Sequence, residues 1–482
     1  MDIRFAPHNT HLEDPETFKA RDPHLRQLSR QAFVHRSHLL EELPSNTPGV
    51  YTIGGGRQIG KTTLMKQWMA LLMQSGVAPN RIVYFTGELI DDHHALVRLV
   101  GDTLETMPGD DMAYLILDEI TYVRDWDKGV KYLADAGMLQ KVELFLTGSD
   151  LTIIKEARMR FPGRRGESAT VDFHLYPLNL LETVRLKGRF TRDELESLVS
   201  AGTGAVPPTA IIEGLYQEFG DYLAHGGFLT AINDIAKHSR ILPATFSTYS
   251  DWIRGDVLKR GKNDHYLREI LGAIVKRYGS QTTWNALAQD LSINHPGTVS
   301  DYVELLAAMD AAFIQPALLE DKLTAAPKKA RKLMFTDPFI FHAVRSWLNP
   351  SADPYGEQVR PLLSDPAWAG KLVEATVVTH YRVYYPVFYI KAEGEVDLAY
   401  IAQHRFWPVE VKWTGQVRPK NLKQITKYSH ARILTQSRHL GHILGVPTEP
   451  VPLALLRLCA GVSGPKRSMG ESRSAESPGE AS

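Results

Sequence analysis

A single cysteine, Cys459, stands among 482 residues, which excludes an intrachain disulfide and any multi-cysteine metal site. Neither sign of charge is in surplus, since 55 Lys and Arg balance 55 Asp and Glu. No global field therefore drives the chain onto nucleic acid or an anionic membrane, and any nucleic-acid contact must use a local patch. No apolar run approaches the length of a transmembrane helix, and the opening stretch MDIRFAPHNT lacks the apolar core of a secretory signal. The expected compartment is the cytoplasm, with no membrane partner. What remains is an ordinary globular composition, 43% hydrophobic and 23% charged. The length exceeds what one core can serve and asks for about three domains.

The most specific string is Gly55-Gly56-Arg57-Gln58-Ile59-Gly60-Lys61-Thr62, followed by Thr63, which fits the phosphate-binding pattern G-x-x-x-x-G-K-[ST]. Glycines let backbone N–H groups curl around a phosphate, Lys61 adds a point charge, and the Thr62 hydroxyl can ligate Mg²⁺. Such a string arises by chance in roughly 2% of chains of this length, so its flanks decide. Val50–Ile53 reads as a strand and Thr63 onward as a helix, the context the motif requires.

Downstream, Arg81–Phe85 reads as a buried strand, with Asp91 and Asp92 as N-cap candidates for the next helix. His93 and His94 point about 100° apart on a helix and make a poor metal pair. Ala113–Leu117 is a continuous apolar strand ending in Asp118-Glu119. Ligands bind at the carboxyl ends of such strands. Asp118 is placed to hold Mg²⁺ and Glu119 to orient or deprotonate the attacking water. Another apolar strand, Val142–Leu146, ends in Thr147-Gly148-Ser149. A hydroxyl there, Thr147 or Ser149, either senses the γ-phosphate or attacking water or, as Ser149 or Asp150, caps the following helix. Arg164 and Arg165 lie in a Gly-flanked loop; one of them either stabilises phosphoryl charge, in cis or from a neighbouring copy, or belongs to a surface loop.

The series GGGRQIGKTTL, YLILDEITYVRDW, LFLTGSD, PGRRG and HLYPLNLLETV resembles a family of AAA-type P-loop ATPases from archaea and bacteria. That resemblance implies ATP as the nucleotide, a parallel sheet flanked by helices, and a helical lid that includes the Gly226-Gly227-Phe228 turn.

Residues 265–320 read as helix, turn, helix and strand, with Thr298 as an N-cap, and look like a winged-helix unit. Its second helix is expected to hold Ser300, Asp301, Glu304 and Asp310 and no basic residue, which favours packing over DNA reading. The run Lys328–Lys332 is expected to be a solvated linker.

Near the end, Glu374 lies in a helical pattern, Asp397 begins a strand, and Glu410 and Lys412 alternate on the next strand, so that both face one side. Two carboxylates such as Asp397 and Glu410 can bind Mg²⁺, and a lysine can position or deprotonate a metal-bound water, the equipment for phosphodiester hydrolysis. The order helix-Glu, strand-Asp, strand-Glu-x-Lys resembles the PD-(D/E)xK nuclease superfamily. Gln424 and Tyr428, four apart on an expected helix, resemble a further motif of some members, and Lys420, Lys423, Lys427 and Arg432 add local positive charge. The alternative is a nuclease-like fold without activity.

The expected class is α/β throughout. A helical segment (1–45) precedes the P-loop NTPase core (46–178), a helical lid (179–262), a winged helix (263–322), a smaller nuclease-like α/β domain (333–458) and a disordered tail (459–482). Two functions follow. One is a Mg²⁺-dependent ATPase that couples nucleotide state to a domain acting on DNA or RNA. The other is a nucleotide-dependent switch or homo-oligomeric assembly protein with a silent C-terminal site.

Overall fold

The computed structural model describes residues 2–107, 109, 111–148, 165, 166, 168, 170–200, 207–293, 295–415, 417, 418 and 422–461. The first half is organised by five strands: β1 (Gly49–Gly54), β2 (Ile82–Thr86), β3 (Ala113–Asp118), β4 (Val142–Thr147) and β5 (Asp172–His174). They lie in the order β2-β3-β4-β1-β5 and every pairing is parallel. Each residue of β1, β3 and β4 is buried, as expected where helices cover both faces of a sheet. Alternation sorts the side chains: Leu115, Leu117, Leu144 and Leu146 pack toward helices His93–Thr106 and Trp126–Asp135, while Tyr114, Ile116 and Phe145 pack toward helix Lys61–Gln74. Asp92 caps helix His93–Thr106, accepting from the backbone N–H groups of His94 and Ala95.

One carboxylate breaks the apolar pattern of β4. Glu143 is fully buried and accepts from the backbone N–H of Thr47, and its Oε2 has no hydrogen-bond partner among the described residues. Burial pushes its carboxyl from the usual 4.5 up to about 7. Ionisation in the folded state is thus disfavoured, so a stability cost sets in above pH 4.5 and is complete above about pH 7. Glu143→Gln is expected to melt with a flatter pH dependence than the wild type. Its advantage should be on the order of 3 kcal/mol at pH 8 and fall below about 1 kcal/mol near pH 5; parallel melting curves across pH 5 to 8 would refute this.

Helices Leu180–Lys187, Arg192–Ser200, Thr209–His225, Leu229–His238 and Pro243–Lys259 follow. Asn179 and Glu182 form a reciprocal capping box at the first. Gly226 has φ 55°, and a side chain there would overlap the carboxylate of Asp337, which accepts from the Gly227 N–H at 2.8 Å.

The middle region combines helices Asp264–Lys276, Trp284–Gln289 and Pro296–Ala308 with strands β6 (Gln281–Thr282), β7 (Ala312–Pro316) and β10 (Arg331–Phe335), antiparallel in the order β6-β10-β7. A two-stranded hairpin, β8 (Leu318–Leu319) with β9 (Thr324–Ala325), interrupts them. Two expectations are corrected here. Pro296 opens the third helix with His295 as N-cap, because proline's fixed φ suits the first helical position, and Thr298 lies within the first turn. The basic run is not a solvated linker throughout: its end enters β10, where Lys332 is buried.

The C-terminal sheet is mixed, with β11 (Val387–Lys391), β12 (Glu395–Ala402), β13 (Arg405–Lys412), β14 (Arg432–Thr435), β15 (Gly441–Ile443) and β16 (Val446–Pro450) in the order β11-β12-β13-β14-β16-β15. Helices Pro366–Tyr384 and Val451–Cys459 pack on it. A single apolar core runs from the lid helices through β10 to this sheet. Between the two sheets, buried Gln315 donates to the carbonyls of Phe388 and Asp397 at 3.0 and 2.9 Å. Among the described residues no helix is long and apolar enough to cross a membrane.

Candidate functional site: a P-loop and a lysine-bridged acidic cluster

The loop between β1 and helix Lys61–Gln74 needs its glycines. Gly55 adopts φ 150°, and a Cβ there would lie 2.5 Å from the Leu175 carbonyl oxygen. At the helix start Lys61 is only 4% exposed, and its ammonium donates to the carbonyls of Gly55 and Gly56, both at 2.9 Å. Burial pulls its pKa below the ordinary value, against the pull of Glu119 and Asp118. It is a desolvated cation held on weak acceptors, which an anionic phosphate would relieve.

Three hydroxyls converge on Asp118. Thr62 donates to Oδ2 at 2.6 Å, Tyr84 donates to the same oxygen, and Thr147 donates to Oδ1. The Thr147 oxygen also accepts from the Glu119 backbone N–H at 3.1 Å. The strand end at Thr147 thus lies directly beside both acids. Glu119 sits in the left-handed region at φ 52°, a strained position for a non-glycine residue. Its Oε2 is buried without a hydrogen-bond partner among the described residues, and burial raises its carboxyl from the ordinary value. An orphaned carboxylate oxygen, a Thr–Asp pair and a desolvated lysine fit a magnesium nucleotide. These groups open into a cavity of about 1300 Å³ that also reaches Glu182 and Arg382.

The rest of the loop is tied to the lid. Arg57 pairs with Asp256 at 2.9 Å and donates to the Tyr122 hydroxyl at 2.5 Å. The Tyr249 hydroxyl donates to the Gln58 carbonyl at 3.3 Å. Gln58 itself has φ 59°, while Ile59, Gly60 and Thr63 line the same cavity. Ser149 and Arg164 lie outside the described residues. Arg165 is placed structurally: it pairs with Asp172 at 2.5 Å and donates to the Val50 and Val171 carbonyls, locking β5 to β1.

At the other end of the chain, Glu374, Asp397, Glu410 and Lys412 do come together, around a group the sequence reading did not include. The Lys332 ammonium, 1% exposed, bonds Glu374 Oε1 at 2.7 Å and a Glu395 oxygen, and lies 3.8 Å from Asp397 Oδ1. Lys412 lies 2.5 Å from Glu410 Oε1 and 3.4 Å from Asp397 Oδ2, which also accepts from the Val411 N–H at 2.9 Å. Burial pushes Glu374 up to about 7 and, together with Asp397, Glu410 up to about 8. Against burial, the surrounding carboxylates hold both lysines above their ordinary value.

Of the two acids expected to hold a metal, Asp397 and Glu410 both face Lys412, and Lys332 lies 3.8 Å from Asp397 Oδ1. Among the described residues no group of three or more His, Cys, Asp or Glu side chains is placed to hold a metal ion. The expected helix at Gln424–Tyr428 is instead a short 3-10 turn, Ile425–Lys427, although Gln424 does donate to the Tyr428 hydroxyl at 2.9 Å. Lys427 is paired with Glu393 at 2.5 Å, and Lys420 lies outside the described residues.

Sequence reasoning missed Tyr84, Asp256, Glu395 and Lys332. Only Lys332 left a local signal, a lysine running straight into the apolar string Leu333-Met334-Phe335.

Comparison with known proteins agrees with the N-terminal geometry. The family described as "AAA domain" matches residues 47–184, and a domain of unknown function (DUF8612) matches residues 216–351. An uncharacterized protein of Haemophilus influenzae is 24% identical over 294 residues, covering 57% of this chain and 65% of its own length. The Walker-type ATPase PABY2304 of Pyrococcus abyssi is 14% identical, with 64% of this chain and 93% of that one covered and a TM-score of 0.40. Aeropyrum pernix ORC1, solved in complex with DNA, is likewise 14% identical, with coverage of 70% and 94% and a TM-score of 0.29. The parallel sheet, the P-loop and the family match agree on an AAA-type P-loop domain over residues 47–184.

Proposed function

We propose that the chain binds and hydrolyses ATP and relays its nucleotide state, through a winged-helix-like middle region, to a nuclease-like C-terminal domain that acts on DNA or RNA. Thr62 and Asp118 would hold Mg²⁺, which when bound supplies charge neutralisation at the β- and γ-phosphates. Lys61 exchanges its two carbonyl partners for phosphate oxygens. Glu119 orients the attacking water and takes its proton, and Thr147 fixes Glu119 and Asp118 relative to each other. Arg164, in the same copy or a neighbouring one of a homo-oligomer, is the remaining candidate for the developing phosphoryl charge. The compartment in this reading is the cytoplasm.

The observation that carries the relay is a buried ion pair at Asp310, a residue at φ 58°. Its two oxygens meet His174 of β5 at 3.1 Å and Arg382 at 2.9 Å. His174 pairs in register with Gly54, next to the P-loop, and Arg382 shares helix Pro366–Tyr384 with Glu374. Asp310 also leads into β7, the partner of β10 and so of Lys332. One side chain therefore ties β5, beside the nucleotide loop, to the helix that carries Glu374. Asp310→Asn is expected to leave ATP binding within about three-fold and to cancel ATP-dependent changes in amide exchange across residues 395–412. Nucleotide-dependent exchange that persists in the variant would refute the relay.

A second reading, a nucleotide-dependent switch with a silent C-terminal site, is favoured by one observation, the neutralisation of the acids by Lys332 and Lys412. Cleavage of DNA or RNA that is lost in Glu410→Ala and Lys412→Ala would decide against it.

A further inference from the structure

We infer that the Lys332 ammonium is a built-in counter-ion of the C-terminal acidic cluster, occupying the place a divalent cation would need and closing the site to metal while β10 stays docked. The inference rests on reading that cluster as a nuclease-like site, and it starts from where the residues come from. Glu374 is carried by a helix and Glu395, Asp397 and Glu410 by β12 and β13, whereas Lys332 arrives from the middle region's own sheet. Four carboxylates face two ammonium groups, so the cluster without Lys332 would lose one of its two cations and have to take up protons or another cation. The residues after Lys332, Leu333-Met334-Phe335, are apolar and buried. The strand thus delivers one charge, at one position, into the carboxylates of another sheet.

That position excludes an ion. Lys332 contacts oxygens of Glu374 and Glu395 and approaches Asp397, so a divalent cation bridging these acids would stand against a like charge at contact distance in a poorly solvated site. Ammonium and metal are therefore alternatives. The gate is also mechanically addressed: β10 pairs along its length with β7, which begins two residues after Asp310. Displacement of β10 would withdraw Lys332 and leave the acids facing one another, the state that binds a cation.

The test uses the full chain without nucleotide and Mn²⁺ alone as the probe, with free Mn²⁺ followed by electron paramagnetic resonance. Lys332→Met removes the ammonium. Glu395→Gln, at a residue 34% exposed, loosens its anchorage with less risk to folding. Each variant is expected to bind one Mn²⁺ at least ten-fold more tightly than the wild type. The gain should disappear when Asp397→Asn is added, and Mn²⁺ should raise the melting temperature of Lys332→Met alone. The inference is overturned if either folded variant binds no more tightly than the wild type, or if the gain survives Asp397→Asn. It is equally overturned if the wild type already binds with the variants' affinity through Asp397. Failure of the nuclease reading is a separate outcome: tight Mn²⁺ binding by Lys332→Met without cleavage of DNA or RNA leaves the counter-ion in place and removes the enzyme.

Discussion

Lys61→Ala is expected to lower ATP affinity by at least about 100-fold, the equivalent of about 2.7 kcal/mol, without lowering thermal stability. The two halves of this result have one cause. In the folded chain the Lys61 ammonium is 4% exposed and, among the described residues, donates to the Gly55 and Gly56 carbonyls. Its burial is a cost that phosphate charge would offset, so the lysine contributes to binding and little to the resting fold. A purely structural lysine behaves in the opposite way. Lys66, five residues on, is fully buried, 3.4 Å from Asp22, and donates to the His8 carbonyl, holding the N-terminal segment against the helix. Lys66→Ala should therefore lose stability first. Calorimetric titration with ATP beside thermal melts separates the two. Unchanged nucleotide affinity in Lys61→Ala would refute the assignment of this loop to phosphate.

The P-loop and its sheet were legible because their information is local. A buried parallel strand writes itself as an uninterrupted apolar run, as in Ala113–Leu117 and Val142–Leu146, and its carboxyl end marks where ligands bind. Period-two alternation likewise brought Glu410 and Lys412 to one side of β13. What could not be read depends on partners far away in the chain. Lys332 and Glu374 are 42 positions apart, Arg57 and Asp256 are 199, and neither pair has a periodic signature. Composition argues that a basic run is solvated, and that argument fails where a strand register carries one lysine inward onto carboxylates. Arg165 illustrates the same limit: a Gly-flanked arginine reads as a finger or as part of a surface loop, and only the pairing of β5 with β1 reveals a clamp.

Glu119→Gln is expected to retain ATP binding within a few-fold while slowing hydrolysis by 100-fold or more, on the scale of losing a positioned general base. The backbone at Glu119 is held at φ 52°, a conformation that costs on the order of 1 kcal/mol, and its N–H is spent on Thr147. The carboxylate lines the cavity, and its Oε2 has no hydrogen-bond partner among the described residues. Glutamine keeps the shape and loses the basicity, so binding and chemistry separate. The pH profile supplies an independent check. Burial raises the Glu119 carboxyl, and a base works only when deprotonated, so the acid limb of turnover should lie above the ordinary carboxylate range and rise with pH. In Glu119→Gln the remaining slow turnover should lose that limb. Turnover within ten-fold of wild type, or an acid limb that persists in the variant, would assign the base elsewhere and leave Glu119 as a strained turn beside Asp118.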